Sequence, residues 1–124
     1  PHTVIDMNPR TVRRQADLGR DVIYGDVTNP DVLEQAGVRT SAAVVLTIPD
    51  EEAVMRACTV IRRLNPAIFI AGRTNYLNKA MALYQCGADH VVIEEVATAL
   101  AMEREVLAKL RERGIARPAD VITS

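Results

Sequence analysis

The sequence predicts an α/β fold in which a parallel sheet is flanked by helices. Three observations carry this. Short apolar runs alternate with helical patterns along the whole chain. The run Ala42 to Leu46 is apolar without alternation, as in a central strand covered on both faces. Two acidic residues, Asp6 and Asp26, each close a strand pattern, and the strand ends of an open parallel sheet form its ligand edge.

The first strand is expected over Thr3 to Asp6. Asn8 and Pro9 then open a helix as N-cap and first helical residue, and it closes near Gly19. Asp21 to Gly25 is the second strand. Asn29-Pro30 repeats the opening signal for a helix that stops at Gly37, with Val32, Leu33 and Ala36 at helical spacing. Ala42–Leu46 follows, with Thr47-Ile48-Pro49 as its exit loop. Asp50 caps a helix to about Leu64 whose inner face is Val54, Ala57, Cys58, Ile61 and Leu64. Ala67 to Ala71 reads as another buried strand. A helix from about Tyr76 to Gln85 closes at Gly87, and His90 to Ile93 is the last strand. The final helix, from about Glu95 to Arg113, is apolar on more than one side, so it is expected to meet something besides its own sheet. Residues 1 to 114 form one domain in this reading, and 115 to 124 a linker or tail.

Composition narrows the function classes. The chain has 124 residues, 48% of them hydrophobic and 25% charged, which suits one globular domain with a real core. Aromatics are 3% with no Trp, which argues against stacking platforms for single-stranded nucleic acid. A net charge of -1 leaves no footprint for DNA or an anionic membrane. No signal-peptide pattern and no membrane-length apolar run is read. Cys58 and Cys86 sit in helical patterns and read as small buried hydrophobes. His2 and His90 lack partners at zinc-ligand spacing.

The series Val4-Ile5-Asp6, Ile23-Tyr24-Gly25-Asp26 with Thr28, Leu33-Ala36-Gly37, Ala43-Val44-Val45-Leu46-Thr47 with Asp50-Glu51, Ala71 with Arg73, and Gly87-Ala88-Asp89 with Val91-Val92 resembles one known family. It is similar to the regulator-of-potassium-conductance (RCK) domain, also called the TrkA N-terminal domain, of potassium channels and potassium transport systems. The resemblance runs over roughly residues 3 to 113. It implies a Rossmann-like parallel sheet, here of about five strands, and a cytoplasmic regulatory module that senses an adenine nucleotide. The cofactor implied is NAD(H) or another adenine nucleotide (ATP, ADP or AMP). The partners implied are a second copy, as a homodimer or larger ring through helices, and a membrane potassium channel or transporter subunit, with no nucleic acid.

The chain departs from the family at its start. The family opens with a strand and a Gly-rich turn that lets backbone N–H groups approach a pyrophosphate. Here Pro1 stands directly before the strand carrying Asp6, and the six glycines nowhere form that spacing. In the order 3-2-1-4-5-6 the absent strand is the middle one. A gap is therefore expected between the Thr3 strand and the Ala42 strand, filled by another chain, closed by direct pairing, or left because the chain is a piece of a longer protein. The last is the expectation here.

The resemblance assigns the candidate site. Asp6 would hold the ribose hydroxyls and repel a 2′-phosphate, favouring NAD(H), ATP, ADP or AMP over NADP(H). Met7 follows it, and Arg10 would flank the adenine. Asp26, with Val27, would read the adenine edge; read locally, Asp26 is a turn residue. Thr47 and Ile48 would line the pocket floor, and Arg73 would meet phosphate. In related domains acidic residues near Glu94 and Glu95 can bind divalent cations or contact the partner subunit; here they are read as helix N-terminal charges favoured by the macrodipole, with no metal site expected.

No catalytic set is read. Gly25 to Pro30 suits an NAD-dependent oxidoreductase or epimerase, but Tyr76 and Lys79 are three apart where the Tyr-x-x-x-Lys pair needs four. A dimerisation domain without a nucleotide site is the other alternative.

Overall fold

Asparagine and proline start the first two helices, Asp50 starts the third, and Gly87 and Gly114 follow the ends of the last two. The structure is a computed structural model that describes residues 2–116 and 121–122. In chain order the elements are β1 (Thr3–Asp6), α1 (Pro9–Asp17), β2 (Asp21–Tyr24), α2 (Pro30–Gln35), a 3-10 turn (Val38–Thr40), β3 (Ala43–Val45), α3 (Glu51–Leu64), β4 (Phe69–Thr74), α4 (Leu77–Gln85), β5 (His90–Ile93) and α5 (Glu94–Glu112). The side chains of Asn8, Asn29 and Asp50 accept from the N–H groups of Arg10, Asp31 and Ala53, so α1, α2 and α3 are capped as expected. Gly19 and Gly37 end the first two helices at φ of 75° and 82°, where a side chain would be strained.

The strands are all parallel but form two sheets. β1 pairs with β2, with Thr3 opposite Asp21 and Asp6 opposite Tyr24. The other sheet has the order β3-β4-β5, with Val44 opposite Ile70 and Thr74 opposite Ile93. β1 and β3 do not pair. A cleft of about 900 Å³ lies between them, lined on one side by Thr3, Val4 and Ile5 and on the other by Ala42 to Leu46. The expected gap in a Rossmann-like order is thus present and open.

The core lies on one face of the three-stranded sheet. Leu33, Val54, Ala57, Cys58, Ile61, Ile68, Ile70, Leu83 and Val91 are buried there. Gly72 allows the close approach: a Cβ at that position would lie 2.9 Å from a methyl of Leu83 and 3.4 Å from one of Val54. Cys58 is buried in this cluster and Cys86 half-buried, both as free thiols. Burial pushes the Cys58 thiol up to about 11, consistent with an inert core residue.

Two expectations are corrected here. The Ala42 strand is not covered on both faces. β3 is an edge strand, and Ala43 and Val45 are exposed, Val45 at 66%. The second strand of this pair runs over Phe69–Thr74 instead of Ala67–Ala71, and it alternates. Ile70, Gly72 and Thr74 are buried, whereas Phe69 is 47% exposed. The Asn65 side chain explains the shift. Its amide donates to the carbonyls of Val38 and Ser41 and its oxygen accepts from Ala67 N–H, which holds residues 65–68 in a turn. Paired residues of a parallel sheet share a face, so Ala43 with Phe69, Val45 with Ala71, and Arg73 with Val92 form one open side.

α5 is the least embedded element. None of its residues is buried, and Val96, Leu100, Met102, Val106 and Leu107 are exposed. Gly114, at φ 73°, follows its end. Of the expected tail, residues 117–120 and 123–124 lie outside the described residues.

Candidate functional site

Parallel pairing fixes where the two acids go. Asp6 is the last residue of β1, and Asp26 stands two residues beyond β2, the neighbouring strand. The N–H of Gly25 donates to the carbonyl of Asp6 at 3.0 Å, which ties the two strand exits together. The acids therefore share one rim. Asp6 Oδ1 accepts from Asn8 N–H at 2.7 Å. Asp26 Oδ1 accepts from the N–H of Thr28 at 2.8 Å and its hydroxyl at 2.7 Å. Each carboxylate uses Oδ1 to fold its own turn, and neither Oδ2 makes a hydrogen bond among the described residues.

The N–H and hydroxyl of Thr28 hold the Asp26 carboxyl below the ordinary carboxylate value. A depressed folded pKa contributes stability above the unfolded value, and that contribution is lost as pH falls through the folded one. At neutral pH Asp26 is a pure acceptor. In a carbon-detected NMR titration, Thr28→Val is expected to move the Asp26 midpoint up toward the ordinary value, because only the backbone donor remains.

The cleft gathers some of the other candidates. Val27, Thr47 and Ile48 line it together with Ile5 and Leu33. Thr47 and Ile48 follow β3 directly, so they stand at that strand's C-terminal end. Met7 leaves β1 beside Asp6 and is 60% exposed. Arg10 stands apart: its side chain joins Arg13, Arg14, Asp17 and Leu18 along a shallow depression on α1.

Arg73 lies on the other sheet, near the end of β4. Its guanidinium donates to Glu94 and reaches the carbonyl of Thr47 at 3.5 Å. It thus spans from the exit of β3 to the start of α5. Glu94 and Glu95 are the first two residues of α5, where the helix dipole favours acids. Glu95 Oε1 accepts from Leu77 N–H at 2.8 Å, and its own N–H donates to Asn75 carbonyl at 3.2 Å. Glu51, first in α3, accepts from Asn75 N–H at 2.7 Å. Sequence reading did not find this clamp, because its members come from four separate elements. No sequence pattern announces it: only the strand register, with Arg73 opposite Val92, places Arg73 near Glu94.

Among the described residues, no helix is long and apolar enough to cross a membrane.

The family described as the TrkA-N domain matches residues 1–94. A glutathione-regulated potassium-efflux system protein of Haemophilus influenzae is 32% identical over 108 residues, which are 87% of this chain and 18% of that protein. The chain spans 14% to 18% of the length of the curated relatives it matches first. Among solved structures, the TrkA-N domain of the inner membrane protein ybaL from Escherichia coli superposes with a TM-score of 0.78 at 24% identity, over 82% of this chain and 76% of that one. The Kef CTD of Shewanella denitrificans in its AMP-bound form superposes with a TM-score of 0.74 at 23% identity, over 88% of this chain and 67% of that one.

Proposed function

Because the chain belongs to the TrkA-N domain family, we propose that it is a regulatory domain that binds an adenine nucleotide on its strand-end rim and passes that state to a potassium transport protein. The observation that carries this is the rim itself, with Asp6 and Asp26 on neighbouring strand ends and an oxygen of each making no hydrogen bond among the described residues. The AMP-bound Kef CTD, which shares the fold, supports the ligand class. The potassium-efflux relative supports the setting.

In this reading Asp6 holds the ribose hydroxyls and Asp26, with Val27, accepts from the adenine amine. Met7 and Arg10 flank the base, Thr47 and Ile48 form the facing wall, and Arg73 meets phosphate. A carboxylate at the ribose disfavours a 2′-phosphate, so AMP, ADP, ATP or NAD(H) is preferred over NADP(H). Residues 1–114 act as the sensing unit by binding, without a catalytic group. α5, which has no buried residue, offers the surface for a second copy or for the transport subunit at the cytoplasmic face of the membrane.

The test is a thermal melt with millimolar AMP, ADP, NADH or NADP+. A ligand of the folded state stabilises by about 2.7 kcal/mol at a hundred times its Kd. A rise of several degrees with AMP, ADP or NADH, and less with NADP+, is expected. No rise with any of them overturns the nucleotide reading.

A further inference from the structure

We infer that Glu94 is the counter-charge that a ligand phosphate displaces from Arg73, so that this exchange both favours phosphorylated adenine ligands and loosens the hold on α5. The inference rests on the nucleotide reading above and adds how the site tells a nucleotide from a nucleoside.

Arg73 is the basic side chain at the exits of β3, β4 and β5, and it already has a partner. Glu94 takes its guanidinium, and both side chains are accessible, at 32% and 44% exposure. Arg73 also reaches the carbonyl of Thr47, a residue that lines the cleft facing Asp6's strand. A phosphate at the Thr47 end of the cleft therefore lies within the reach of this guanidinium. A nucleotide phosphate carries a charge of about -1.5 to -2 near neutral pH, against -1 for a carboxylate, and it accepts the same two-pronged hydrogen bonding. Phosphate is the stronger partner. Adenosine brings no charge and leaves the pair intact.

The exchange matters because of where Glu94 sits. It is the first residue of a 19-residue helix with no buried side chain. α5 is held at its start, by Glu94 on Arg73 and by Glu95 on Leu77 and Asn75. Taking Arg73 away removes one of the two side-chain ties at that base.

The experiment is calorimetric titration of the chain and of Glu94→Gln with AMP and with adenosine, alongside hydrogen exchange of the α5 amides. Glu94→Gln is expected to bind AMP about fivefold tighter, as for loss of one competing exposed ion pair, with adenosine affinity unchanged. In the unsubstituted chain AMP, but not adenosine, is expected to speed exchange in the first turns of α5. A purely structural role for Glu94 would move both ligands together. If AMP binds both proteins equally, the inference fails and the nucleotide reading stands. If neither protein binds AMP, both fail.

Discussion

Arg62→Met is expected to lower the stability of the chain by about 3 kcal/mol, because several carbonyls lose their donor at once. Arg62 Nε and Nη2 both donate to the Gly87 carbonyl, at 3.2 and 2.7 Å. Nη1 donates to the carbonyls of Pro66 and Ile68, at 2.9 and 2.7 Å. Nη2 also pairs with Asp89 Oδ2 at 2.8 Å, and that same oxygen accepts from Ile70 N–H. One guanidinium thus joins the end of α3, the entry to β4 and the turn between α4 and β5. Methionine keeps the apolar stem and removes every donor, so packing loss is small and the missing hydrogen bonds dominate. For a domain of this size the melting temperature should fall by roughly 10 °C. Urea unfolding followed by circular dichroism measures it, and a loss below about 1 kcal/mol would show that water replaces the guanidinium cheaply.

Asp6→Ala is expected to weaken AMP binding by about thirtyfold, near 2 kcal/mol, while the ligand-free chain stays folded. The carboxylate offers the two ribose hydroxyls charged acceptors, and alanine offers none. Asp6→Asn separates charge from turn geometry. An amide oxygen can still accept from Asn8 N–H, so the turn survives, while repulsion of a 2′-phosphate is gone. The ratio of AMP to 2′-phosphorylated ligand affinity should therefore fall in Asp6→Asn. Calorimetric titration with both ligands reads this. Equal AMP affinity in all three proteins would place the ribose elsewhere.

Much of this architecture was legible because its signals are local. Asn8-Pro9 and Asn29-Pro30 carry both the cap and the fixed backbone angle, and each helix starts there. The shared rim of Asp6 and Asp26 follows from two strand patterns with an acid at each end, once both are parallel. Even the gap was legible, as the place of an absent middle strand in a known order. What failed was burial. An unbroken apolar run such as Ala42 to Leu46 says only that neighbours would be welcome, and β3 has none on one edge and one face among the described residues. Alternation in β4 was hidden because Gly72 and Thr74 are not strongly apolar, so the strand seemed to end early. The Arg62 junction joins residues up to 27 positions apart, and no local pattern announces such a contact.

The open boundary between β1 and β3 leaves one edge of each strand unpaired among the described residues. Backbone donors and acceptors left facing water are a template onto which any extended polypeptide can add, which is how soluble proteins begin to form fibrils. Here the exposed ladders are only four and three residues long. Brevity of that kind gives a stranger few rungs to hold.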